Sequence, residues 1–116
     1  MKGLVFVAAA LVAGAAMADC EKPNLAALKK LPKSVLLMEC SQPDYEYKAL
    51  KLKTQPIAYA KGMSSNNATM YTHYDRQLAD LNSKMDVCFA AKQAVVAEMQ
   101  RRKVAEADWP AACSLD

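Results

Sequence analysis

ATMYTHYDRQLADLNSKMDVCFAAKQAVVAEMQRRK, residues 68–103, decides the fold class of this 116-residue chain. Met70, Tyr74, Leu78, Leu81, Met85, Cys88, Val95 and Met99 recur in steps of three and four, and Lys92 is the one residue that breaks the stripe. That spacing lines one face of an amphipathic helix. The helix is expected to run to about Lys103, continuous or broken near Asn82-Ser83. Arg101, Arg102 and Lys103 suit the negative pole of a helix dipole. Ser64-Ser65-Asn66-Asn67 reads as the loop before the helix, and Asp108-Trp109-Pro110 as the turn after it.

Upstream, Asn24 is placed to cap a short helix with Leu25, Leu28 and Leu31 on one side, stopped by Pro32. Val35-Leu36-Leu37-Met38-Glu39-Cys40 is apolar on all sides and reads equally as a buried helical turn or a buried strand. Tyr45 to Thr54 is the least decided stretch. Tyr45 and Tyr47 alternate with Glu46 and Lys48, and Leu50 and Leu52 with Lys51 and Lys53, as in a strand with a bulge at Ala49. Treated as a helix, the apolar residues scatter around the axis. Composition argues the other way, because Lys, Leu and Ala outnumber β-branched residues. Pro56 to Gly62 reads as one helical turn or a second strand. The expected fold is mainly α: a small disulfide-stapled helical domain with one long amphipathic helix over 68–103 and a short β-hairpin within 35–61.

The N-terminus predicts export. Lys2 precedes an apolar run from Leu4 to Val12, and Ala16-Met17-Ala18 is a small-x-small cleavage pattern. The apolar run is shorter than the roughly 20 residues a spanning helix needs, and Asp19 before Cys20 is unlike a lipid-attachment site. The reading is a cleavable signal peptide over 1–18 and a single mature domain over 19–116, periplasmic or secreted. Without Lys2 the mature chain holds 14 basic and 12 acidic residues, a net charge of +2. Lys48, Lys51, Lys53 and Lys61 are diluted by Glu46, so no nucleic-acid surface is expected. No membrane span is expected in the mature chain.

Cys20, Cys40, Cys88 and Cys113 all lie in the mature region. An even count in a small exported chain reads as two disulfides, each stabilising by roughly 2–4 kcal/mol. Their intervals of 19, 47 and 24 residues contain no C-x-x-C, which argues against a redox pair or a zinc knuckle. Three connectivities are open. The nested pattern, Cys20–Cys113 with Cys40–Cys88, is favoured because it ties both ends and staples an early element to the long helix.

Little in the chain points to catalysis. His73 is the only histidine, and although Asp75 is near in sequence, no nucleophile setting accompanies it. Met70 and His73 share a helix face and Met63 precedes them, a thioether–imidazole set that suits Cu(I). The simpler reading is that Met70 extends the apolar stripe and Met63 packs beneath the loop, so no metal and no cofactor are expected. Asn67-Ala68-Thr69 matches a glycosylation acceptor, relevant only in a eukaryotic host, and Asn67 serves equally as a helix cap. Trp109 reads as a lid on the core or as an interface anchor. Tyr45, Tyr47 and Lys48, if they share a strand face, make a protein-binding edge together with Trp109.

An early Cys, a Leu-rich segment before Cys40-Ser41, a late Cys113-Ser114-Leu115 and 98 mature residues loosely resemble the elicitins, small helical sterol-binding proteins. Those have six cysteines, and Met63 and Asn67 stand near where the central two would fall. The resemblance implies a helical shell around an apolar ligand. The leading expectation is a non-enzymatic exported protein that binds another protein as inhibitor, immunity factor or accessory adaptor. The alternative is a carrier lined by Leu, Met and Tyr.

Overall fold

Asn24, Asn67 and Pro32 punctuate the described part of the chain, residues 20–115 of a computed structural model, into four α-helices and two 3-10 turns. The signal-peptide reading of 1–18 lies outside those residues. Asn24 accepts a hydrogen bond from the Ala27 amide at 3.0 Å and starts α1, Leu25–Lys30. After Pro32 the chain makes α2, Lys33–Met38. Two long helices follow, α3 at Ser41–Met63 and α4 at Ala68–Arg101, joined by the loop 64–67. The 3-10 turns Glu106–Asp108 and Ala111–Cys113 close the described chain.

The expected β-hairpin within 35–61 is absent, since the described residues contain no strand. The segment is α2 followed by α3, and the alternation of Tyr45, Tyr47, Leu50 and Leu52 has a different origin. At 100° per residue, Tyr47, Leu50, Thr54, Ile57 and Lys61 cluster on one face. All five are buried or half-buried against the direction of α4. Tyr45, Leu52, Tyr59 and Met63 cluster on the opposite face. The apolar residues that looked scattered form two stripes set back to back. Pro56 belongs to the outer side and is exposed. It has no N–H for the Leu52 carbonyl four residues back, a loss that solvent can offset on that face.

α4 is continuous through Asn82-Ser83, so of the two readings of that point the unbroken one holds. Its seam of Tyr74, Leu78, Leu81, Met85, Cys88, Lys92, Val95 and Met99 holds one phase from end to end, so no residue is inserted or lost. Three pairs fix the antiparallel register with α3: Asp44 with Lys92, Tyr47 with Phe89, and Lys61 with Asp75. From Asp44 to Lys61 the chain advances 17 residues, and from Lys92 to Asp75 it retreats 17. The helix ends two residues before the expected Lys103, which takes the left-handed conformation at φ 60°. The Lys103 and Val104 amides then donate back to the Gln100 and Met99 carbonyls, and Val104 packs on the core. Such a reversal closes a helix end and is normally made by glycine.

The core lies at one end of the hairpin: Leu28, Leu36, Cys40, Val95, Val96, Met99 and Cys113, with Trp109 and Val104 packed against it. Beyond it α3 and α4 project as a two-helix arm in which Leu50 is the buried apolar side chain nearest the tip. The described chain measures 54 × 30 × 21 Å. The long axis matches the roughly 51 Å that a 34-residue helix spans.

The disulfides are Cys20–Cys88 and Cys40–Cys113, an interleaved pattern in place of the nested one. The hairpin register gives the reason. Asp44 and Lys92 sit side by side, Cys40 lies one turn from Asp44 toward the core end, and Cys88 lies one turn from Lys92 toward the tip. Those offsets add, so Cys40 and Cys88 are separated by roughly 12 Å along the axis, beyond the roughly 7 Å a disulfide bridges. Cys88 instead holds the N-terminal segment onto α4, and Cys113 brings the C-terminal turn to the start of α3.

Candidate functional site

The outer face of α3 carries a row of large, exposed side chains. Tyr45, Leu52, Tyr59 and Met63 are 70%, 65%, 71% and 71% exposed, and their spacings of seven, seven and four keep them within about 40° of one line along the helix. Large apolar side chains scattered singly on a surface need no explanation, whereas several aligned on one helix face make a candidate interaction site.

The sequence-derived binding edge is only partly assembled. Tyr45 and Lys48 are three residues apart on α3 and both exposed. Tyr47 is turned some 200° from Tyr45 and meets Phe89 at a ring-centroid distance of 5.9 Å. The shared strand face proposed for the two tyrosines therefore does not exist. Trp109 is half-buried against the core, and its indole N–H donates to the Val104 carbonyl at 3.1 Å. It covers the core beside the left-handed helix end. Leu52, Tyr59 and Met63 were missed because the seven-residue repeat that links them to Tyr45 is interleaved with the inner seam.

Charge along α3 is arranged around these two faces. Lys92 donates a 2.8 Å hydrogen bond to Asp44, and Lys48 lies 3.1 Å from the other carboxylate oxygen. Burial pushes the Asp44 carboxyl up, but the hydrogen bonds and charges of Lys92 and Lys48 outweigh it and hold the group below its ordinary value. Lys61 bonds Asp75 at 2.8 Å and stands 5.0 Å from the Tyr71 ring centroid. Lys51 and Lys53 are exposed and form no ion pair among the described residues.

At the core end, Glu98 binds Arg101 and Arg102. Arg102 reaches on to the Leu28 and Lys29 carbonyls at 2.9 and 3.1 Å, satisfying the free end of α1. Hydrogen bonds from Arg101 and Arg102 pull the Glu98 carboxyl down to about 2.

The methionines do not pack as expected. Met63 is exposed at the end of α3, and Met70 is exposed in the first turn of α4 with His73 exposed one turn on. Among the described residues no group of three or more His, Cys, Asp or Glu side chains is arranged to hold a metal ion. Asn67 caps α4, its Oδ1 accepting from the Met70 amide at 3.1 Å.

A cleft of about 560 Å³ runs between the N-terminal segment and the helices, with Leu28, Leu31, Met38 and Val95 among its apolar walls. Glu21, Lys22, Glu39 and Gln42 add polar groups, and partial burial pushes the Glu39 carboxyl up. No helix among the described residues is long and apolar enough to cross a membrane. No protein-family model, curated protein or solved structure matches this chain.

Proposed function

We propose that this is a small exported protein that works by binding another protein, as an inhibitor, immunity factor or accessory adaptor, and not by catalysis. The carrying observation is the row Tyr45, Leu52, Tyr59 and Met63, exposed on an arm whose base is stapled by two disulfides. A rigid base lowers the entropy cost of presenting such a row to a partner. The signal-like N-terminus and the two disulfides support a periplasmic or secreted location. Asn67 is a glycan acceptor in a eukaryotic host only.

The cleft beside Cys20 supports a second reading, carriage of a small apolar ligand, because its volume falls in the range of ligand sites. The cleft borders the core at Leu28 and Val95 but does not reach its central side chains Leu36 and Met99, which are fully buried, and its charged rim favours the protein-binding reading. Native mass spectrometry of the exported protein, isolated gently from its host, tests both. A stoichiometric complex with a second polypeptide is expected. An adduct of a few hundred daltons that survives purification would replace it with the carrier reading.

A further inference from the structure

Resting on the protein-binding reading, we infer that the outer face of α3 docks an amphipathic helix of a partner protein, with acidic side chains flanking that helix's apolar stripe. Three features carry the inference.

The row is narrow and straight. Tyr45, Leu52, Pro56, Tyr59 and Met63 follow in steps of seven, four, three and four, the spacing that lets a second helix seat its side chains between those of the first. From Tyr45 to Met63 the helix rises roughly 27 Å, so a partner helix of about five turns covers it. The opposite face of α3 is already committed to α4 in the same way, and the docked helix would complete a three-helix arrangement.

The flanks are basic along the first half of the row. Lys48 borders the row on one side and Lys53 on the other, with Lys51 further round. Lys51 and Lys53 have no ion-pair partner among the described residues, and the Lys48 side chain is 69% exposed although it touches Asp44. Carboxylates on the incoming helix would meet these lysines at the positions that set partner choice in helix pairs.

A second copy of this chain is a poor occupant. Packed parallel, the two α3 helices would set lysine against lysine. Packed antiparallel, Lys48–Lys53 would lie over Gln55–Met63 of the other copy, a stretch with no carboxylate. The one acid beside the lysines on α3, Glu46, is half-buried, and Asp44 is already bonded by Lys92 and Lys48. A bilayer is less suited as well, because surface-lying helices offer a broad apolar face and this row, Pro56 included, spans only about 60°.

The test places a photoreactive phenylalanine analogue at Tyr59 and, separately, at Ala27 beside the cleft, in the full disulfide-bonded chain exported by its own host. The Tyr59 probe is expected to label a partner segment that maps to an apolar helix flanked by Asp or Glu. A synthetic peptide of that segment should bind the purified protein, with Leu52→Glu and the pair Lys51→Glu, Lys53→Glu each weakening it about tenfold. Both variants alter exposed side chains, and an unchanged circular dichroism spectrum and melting temperature would show that they fold. Labelling of lipid, of a second copy, or of a segment with neutral or basic flanks overturns the inference. A partner labelled only from Ala27 overturns it and leaves the protein-binding reading standing. No partner from either position overturns both.

Discussion

Lys92 Nζ lies 2.8 Å from Asp44 Oδ1 at the point where the two-helix arm enters the stapled core. Both residues are buried. The charge that interrupts the apolar stripe of α4 is thus matched by one on α3, and Lys48 adds a second cation to the same carboxylate. Removing one member of a buried pair is costly, because the other is left without its partner, whereas replacing both by apolar groups often is not. Lys92→Met should lower stability by about 2 kcal/mol, and the double change Asp44→Leu with Lys92→Met should recover most of it. Urea unfolding of the three variants measures both effects.

Leu50 and Leu52 would share a face in a strand, but in α3 they point opposite ways. Leu50 is buried on the seam with α4 and Leu52 is exposed on the outer row. Leu50→Ala should cost about 2–4 kcal/mol, and Leu52→Ala less than about 0.5 kcal/mol. Equal losses at the two positions would contradict the helical register.

The carboxyls of Glu98 and Asp44 are both held below their ordinary values in the folded protein. Groups with depressed folded values add stability that is present above the ordinary value and lost as the pH falls through the folded one. For Glu98 that window runs from 4.5 down to about 2. The melting temperature should therefore fall steadily across it, and Glu98→Gln should flatten the decline. A series of thermal scans at stepped pH tests this.

Lys103 holds a left-handed backbone at φ 60°, a conformation glycine adopts without steric cost. Lys103→Gly should raise stability by about 0.5–1 kcal/mol. A loss would show that the lysine side chain contributes more than its backbone strain removes.

Peptide mapping without reduction should find Cys20 joined to Cys88 and Cys40 joined to Cys113. The paired change Cys40→Ser with Cys113→Ser should lower stability by about 2–5 kcal/mol, since each bridge closes a loop of some 70 residues.

Sequence alone determined the elements that rest on local chemistry. The three- and four-residue steps from Met70 to Met99 define α4 whatever surrounds it. Asn24 and Asn67 act as helix caps through side-chain oxygens within three residues, and an even set of cysteines in so small a chain gave two bridges. What only the tertiary structure decided depends on which residues of distant segments lie level. Tyr45 to Met63 carries two stripes on opposite faces, so no single period stands out, and only the presence of α4 shows which stripe is core and which is surface. The register of that pairing also set the disulfides, by placing Cys40 and Cys88 on opposite sides of the Asp44–Lys92 level. Lys92, an interruption in one helix's pattern, is explained by a carboxylate 48 positions away, because the charge of a buried residue is answered in space and not along the chain.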